Sequence, residues 1–337
     1  MVSLRRRGMR RQRGIAREQV LGVQLFRKVR WHVADNDAKD YASKGVEVSQ
    51  ILECGPVHNA QNAALRLACR TGRPVIVIPD DVSGFSICDG SLDWEGGHGR
   101  PLLPDKFAKV LLKALLETGC CFGGPYVCPN AVFRYQMPLM SFTNFVAGDV
   151  WMVLPSTLPD SVHFRSEACP KQDYDFCAQL LRGGMPVLRL NRLGATCGHK
   201  QKGGAGKGEK RWKQDVSAAK WLIKTWPGSF QHKKNPQAVL GGAGKVIDAE
   251  ILFTGGQSLI EAADARLMGE DGTLRNLIDL MASTKVSKEQ SLEIQGRGRK
   301  KAEQNKDFSR ACGGNLEIAS ETLLKQLRGH LQKFAQG

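Results

Sequence analysis

The sequence predicts an α/β protein whose open sheet is flanked by helices. Two observations carry that expectation. Pro74-Val75-Ile76-Val77-Ile78 is a continuous apolar run rich in β-branched residues, the mark of a strand buried on both faces. An amphipathic helix over His58–Thr71 precedes it and ends at Gly72, and two acids, Asp80 and Asp81, follow it. Helix, glycine, buried strand, then acids at the strand's C-terminal end is the order of an open α/β sheet. Ligands of such sheets bind in the crevice beyond those strand ends.

The remaining elements follow in chain order. Residues 1–18 read as a basic disordered tail, with seven arginines in the first 17 positions and no acid among them. So few apolar residues cannot build a core. A nuclear address, a transit peptide and a nucleic-acid arm all fit such a tail. No apolar run of secretory type follows it. Residues 29–34 read as a short strand and 37–44 as a helix. In the helix over 58–71, Asn59 is a candidate cap, and Ala60, Ala64, Leu67 and Ala68 share a face. Gly84–Lys106 reads as a loop, Phe107–Thr118 as an amphipathic helix, and 121–156 as short strands with an interior one over 146–154. Asp173–Arg182 is a helix opened by acids, Pro186–Leu190 a strand, and 194–210 a loop rich in Gly and Lys. Glu209–Thr225 is a helix stopped by Pro227-Gly228. The composition changes near residue 240. We place a boundary there, between a domain over 19–240 and a helical, partly disordered extension over 241–337. Helix candidates in the extension are 259–268, 273–281 and 316–334.

Charge narrows the partners. The 337 residues include 49 Lys and Arg against 33 Asp and Glu, a formal net charge of +16. That excess predicts a polyanionic partner or substrate, nucleic acid or a nucleotide first. Residues 200–234 hold ten of the basic residues, interleaved with Trp212, Trp221 and Trp226. The pattern suits phosphate tracking with base stacking, or a solvated helix face with indoles in the core. No run approaches the ~18–20 apolar residues of a membrane-spanning helix. Ten cysteines without a single Cys-x-x-Cys point to reduced thiols rather than a disulfide scaffold or zinc ribbon. The Gly-rich runs at 203–207 and 241–245 lack the Ser or Thr and the preceding strand of a phosphate loop, which excludes a P-loop NTPase.

Two carboxylates side by side raise each other's pKa unless a cation sits between them. A hard divalent ion bound through oxygen, with substrate phosphates, removes that cost. Asp80 and Asp81 are therefore candidate Mn²⁺ or Mg²⁺ ligands, and a simple turn is the other reading of the pair.

The run from Asn59-Ala60-Gln61-Asn62 through Val75-Ile76-Val77-Ile78 to Asp80-Asp81-Val82 resembles the core of a GT-A glycosyltransferase. Lys171-Gln172-Asp173-Tyr174-Asp175-Phe176 resembles the acidic base motif of inverting members. His199-Lys200-Gln201-Lys202-Gly203-Gly204 resembles their late His-plus-Gly-Gly element. In this combination the chain, over about 25–240, is most similar to the TET/JBP-associated glycosyltransferase group. The resemblance implies a GT-A-like, Rossmann-like mixed sheet and a nucleotide-sugar donor, UDP-glucose first. It implies a Mn²⁺ or Mg²⁺ ion on Asp80, Asp81 and His199. Asp35, Asp37 and Asn62 would contact the donor, and Lys200, Lys202, Gly203 and Gly204 would grip its phosphates. Asp173 would be the base for the acceptor hydroxyl, with Asp175 in support. The implied acceptor is a hydroxymethyl pyrimidine in DNA, flipped out of a duplex, and the implied location is intracellular and nuclear. A protein acceptor is the alternative within the same chemistry. Three positions depart from the family pattern: Pro79 replaces an acid, Gln61 an Arg and Gln172 a Glu. They motivate a different class of function, a non-catalytic nucleic-acid-binding protein on the same fold. The apolar strand that opens such folds is poorly formed over 19–28, so the N-terminus reads as divergent or truncated.

Overall fold

The computed structural model describes residues 2–4, 29–35, 37–88, 100–127, 134, 137–197, 209–232, 251–261, 325 and 328. The predicted interior strand is β4 (Val75–Pro79), buried along its whole length. Successive strand side chains point to opposite faces. Val75 and Val77 accordingly enter one core, and Ile76 and Ile78 the other.

β4 lies within an eight-stranded mixed sheet. On one side of it stand β1 (Val2–Leu4), β2 (Arg30–Val33) and β3 (Ile51–Glu53), in the order β3-β2-β1-β4 and all parallel. On the other side stand β9 (Trp151–Val153), β7 (Phe122–Pro125), β10 (Val187–Leu190) and β8 (Met140–Ser141), in that order. β9 and β8 run against their neighbours, while β7 and β10 are parallel. The protein is thus a mixed α/β fold with an open sheet. A second, antiparallel sheet is formed by β11 (Leu193–Cys197), β5 (Val82–Ile87) and β6 (Arg100–Leu102).

The start of the chain departs from expectation. Val2–Leu4, assigned by sequence to a basic tail, is a parallel strand between β2 and β4, pairing Val2 with Arg30 and with Val77. Three residues followed by arginines carry no readable periodicity, and the pairing partners that define the strand are far away in sequence. Residues 19–28 lie outside the described residues.

Among the described residues, the helices are α1 (Ala38–Ser43), α2 (Val57–Thr71), α3 (Pro104–Thr118), α4 (Gln172–Arg182), α5 (Glu209–Thr225) and α6 (Gly256–Glu261). α2 begins at Val57, one residue before the expected His58, with Pro56 rather than Asn59 at the cap position, and it ends on Gly72 at φ 62°, a left-handed cap that glycine adopts without strain. Alanines of α2 and apolar residues of α4 and α5 pack with Trp151, Phe164 and Phe176 on one face. Phe164 and Phe176 stack at 4.2 Å there. α3 and the small sheet fill the other face. A third, small cluster joins Trp31 and Val33 of β2 to Tyr41 of α1 and to Val46.

Two loops expected from sequence hold strands: β5 and β6 fall in 84–106, and β11 in 194–210. Near the end, β12 (Phe230–His232) pairs with β13 (Ile251–Phe253) across residue 240. Ile251 and Leu259 enter the same core as α4, so packing continues past the boundary placed there. The helix candidate 273–281 lies outside the described residues. Within 316–334, Lys325 and Arg328 are helical, and Arg328 makes a bidentate pair with Glu117 of α3. Among the described residues, no helix is long and apolar enough to cross a membrane.

Candidate functional site

β1 is the strand from which the sheet order departs both ways, to β2 and β3 on one side and to β4 on the other. In open α/β sheets a crevice forms outside the strand C-termini at such a switch point. Three acidic segments reach that edge. Asp35 and Asp37 follow β2, and Asp80 and Asp81 follow β4. Asp149 precedes the reversed strand β9, whose Trp151 pairs with Val77.

Local packing surrounds Asp80, Asp35 and Asp149. The Tyr41 hydroxyl donates to Asp80 Oδ2 at 3.0 Å. Tyr41 is itself buried and packs on Trp31 with ring centroids 5.5 Å apart. Asp35 lies against Gly55, where an added Cβ would sit 3.2 Å from Asp35 Oδ2 and 3.7 Å from Asn59 Nδ2. With φ at 73°, Gly55 both permits the turn and leaves room for the carboxylate. Asp149 is buried and was not singled out by sequence. Its only signal is a Gly-Asp step ahead of an apolar strand.

Asp173 stands in the first turn of α4. The start of that helix carries no side-chain capping bond. Instead the Gly148 N–H donates to Asp173 Oδ2 at 3.0 Å, tying the carboxylate to the loop that enters β9. A Cβ on Gly148 would lie 3.3 Å from both Asp173 Cβ and Gln61 Nε2. Gly148 is thus where α2, α4 and that loop meet. Gln61 is fully buried, and its amide makes no hydrogen bond with the described residues.

The late element is approached through the small sheet. β11 pairs with β5 so that Cys197 lies opposite Val82, the residue after Asp81. The chain returns to the acidic pair two positions before His199. His199, Lys200, Lys202, Gly203 and Gly204 themselves lie outside the described residues. Among the described residues there is no group of three or more His, Cys, Asp or Glu able to hold a metal. Asp80 and Asp81 present hard carboxylate oxygens, the donor type that Mg²⁺ and Mn²⁺ take, and so fit such an ion.

Other candidates have structural work. Asn62 exchanges two 2.8 Å hydrogen bonds with the Phe164 backbone, so its amide pins the 162–165 loop to α2. Asp175, fully buried, receives a bidentate pair from Arg165, with further bonds from Gln179 Nε2 at 2.7 Å and Trp226 Nε1 at 2.9 Å. Trp221 and Trp226 pack against the core, with the Arg165 guanidinium 4.8 Å and 5.5 Å from their ring centroids. Of the two readings of the indoles, packing holds for these two. Arg211 and Lys171 both reach Asp215, at 3.1 Å and 3.7 Å, while Lys213, Lys220 and Lys224 face solvent.

Two histidines of this half are held neutral. Burial pushes His32 and His58 below the ordinary value of 6.5, and nearby Arg30 and Arg66 add to the effect at His32. His32 Nδ1–H donates to the Ala60 carbonyl at 3.1 Å, a bond that opposes the effect of burial without outweighing it. The unfolded chain takes up protons near 6.5 that the folded chain refuses. Stability is therefore complete above that value and falls as pH drops through it. We expect the melting temperature to fall between about pH 7.5 and about pH 5.5, with a shallower fall in His32→Asn, whose amide keeps the bond to Ala60 without titrating. Thermal melts across that range check it.

Neither a scan against protein-family models nor a search of curated proteins found a match for the chain.

Proposed function

We propose that the protein is a metal-dependent, inverting glycosyltransferase. It moves a sugar from a nucleotide-sugar donor, UDP-glucose first, to a hydroxymethyl pyrimidine in DNA. The observation that carries this is the β5–β11 register. It returns the chain before His199 to the residue after Asp81, although the two segments are 115 positions apart (197 − 82). The register supports bringing the Asp80-Asp81 motif near the segment that leads to His199, and the Gly148 bond ties Asp173 to the loop that enters β9. The mixed, open sheet is of the kind that resemblance implies.

Asp80 and Asp81, with His199, would hold the divalent ion. When bound, the ion offsets negative charge growing on the leaving diphosphate. Asp35, after β2, two strands from β4, would contact the nucleoside. Asp173, oriented by Gly148, takes the proton from the acceptor hydroxyl as the new glycosidic bond forms. Lys200, Lys202 and the Gly203-Gly204 backbone would hold phosphate oxygens.

The test is UDP-glucose binding by the full chain, with Mn²⁺ and with EDTA, followed by transfer to hydroxymethylated DNA. Asp81→Asn should weaken the metal-dependent binding by about tenfold or more, as expected for loss of a charged ligand. Transfer to a protein but not to DNA would move the acceptor to the protein class. Strand binding with neither metal-dependent donor binding nor transfer would replace the proposal with the non-catalytic nucleic-acid-binding function that Pro79, Gln61 and Gln172 motivate.

A further inference from the structure

A second, differently charged site lies on the α2 side of the sheet, towards the opposite end from the acids. A groove of about 400 Å³ is lined by Arg30 and His32 of β2, Leu52 of β3, and Ala63, Arg66, Leu67 and Arg70 of α2. The α2 residues recur at the spacing of a single helix face. β2 contributes alternate residues, because Trp31 and Val33 point to the other side. Arg30, Arg66 and Arg70 are exposed, and none forms an ion pair among the described residues.

We propose that this groove binds the phosphates of a single-stranded nucleic acid, at a site separate from the acidic crevice. Guanidinium forks match phosphate oxygens bidentately. Arg66 and Arg70 are one turn apart, about 6 Å along the axis, the scale of the step between successive phosphates of a strand. Leu52, Ala63 and Leu67 give the groove an apolar floor against which a sugar or base can rest. The volume holds a nucleotide-sized unit. The net charge of +16 favours a polyanion over a single phosphate. The inference stands whether or not the crevice transfers sugar.

The experiment is fluorescence anisotropy of the full chain with a short labelled oligothymidylate over a salt series. Three proteins are compared: wild type, Arg66→Gln/Arg70→Gln, and the charge-matched control Lys220→Gln/Lys224→Gln on α5. Gln is close to Arg in helix propensity, so α2 should persist, and an unchanged melting temperature checks this. Arg30→Gln, on a different element, is the second variant should the double variant not fold. The groove variant should lose about tenfold in affinity, and its log–log salt slope should shrink by about 1.4 for two lost phosphate contacts. Equal losses in the groove variant and the α5 control would overturn the proposal, as would no loss in the groove variant. Pyrophosphate is the competing arm. If it displaces the oligonucleotide at equal concentration, the groove is a small-phosphate site and the strand assignment falls. UDP-glucose binding should survive Arg66→Gln/Arg70→Gln, and oligonucleotide binding should survive Asp81→Asn, so failure here and failure of the transferase proposal are separable.

Discussion

Asp173→Asn should lower glycosyl transfer by about 10²–10⁴-fold, the usual contribution of a general base, while leaving metal-dependent donor binding intact. The asparagine oxygen can still accept the Gly148 N–H, so the hydrogen bond at 3.0 Å that fixes the side chain is retained. What disappears is the capacity to take a proton. A purely structural aspartate would behave otherwise, because a neutral isostere that keeps the bond from Gly148 would leave the rate nearly unchanged. Measuring kcat and KM for the donor separately decides the matter. A fall in kcat with KM held supports the base assignment. Parallel loss of donor binding, or no loss at all, removes Asp173 from the chemistry.

Asp175→Ala should destabilise the fold by about 3 kcal/mol, the lower end of the cost of orphaning a buried charge partner. Asp175 is fully buried, whereas about a quarter of the Arg165 side chain remains exposed, so water relieves part of that cost. Four groups depend on this one carboxylate or its partner: Arg165, Gln179, Trp226 and, through the guanidinium, Trp221. They join the 162–165 loop, α4 and the end of α5. Asp175→Asn should lose less, since it keeps an acceptor for Trp226 while removing the charge. Urea denaturation of the two variants would show it, and equal stability of Asp175→Ala and wild type would deny the carboxylate its hub role.

These two acids are two residues apart on one helix, and their carboxylates meet different partners, Gly148 for Asp173, Arg165 and Trp226 for Asp175. The elements β4, α2, α4 and α5 were legible, because their apolar residues repeat with the period of their element. The small sheet was not. Val82-Ser83-Gly84-Phe85-Ser86-Ile87 offers few apolar residues, and its partners lie at 100–102 and 193–197, so its stability comes from pairing that no local window contains. β1 was hidden for the same reason. The arginine groove had a local signal, Arg66 and Arg70 one turn apart on an exposed face, that charge counting over longer segments passed over. Gln61 stood out as a departure from a family pattern. The structure adds that it is buried against Gly148, beside Asp173.

The bond between Tyr41 and Asp80 links two parts of very different robustness. Asp80 follows a strand buried along its whole length, whereas Tyr41 belongs to a small outlying cluster, the kind of region from which local opening is drawn. Coupling of this sort is reciprocal. Whatever immobilises Asp80 would also favour the packed state of α1, and an opening of α1 would take the Tyr41 hydrogen bond from the acid. A ligand held at Asp80 would then be felt as added protection of the outer flank around Tyr41.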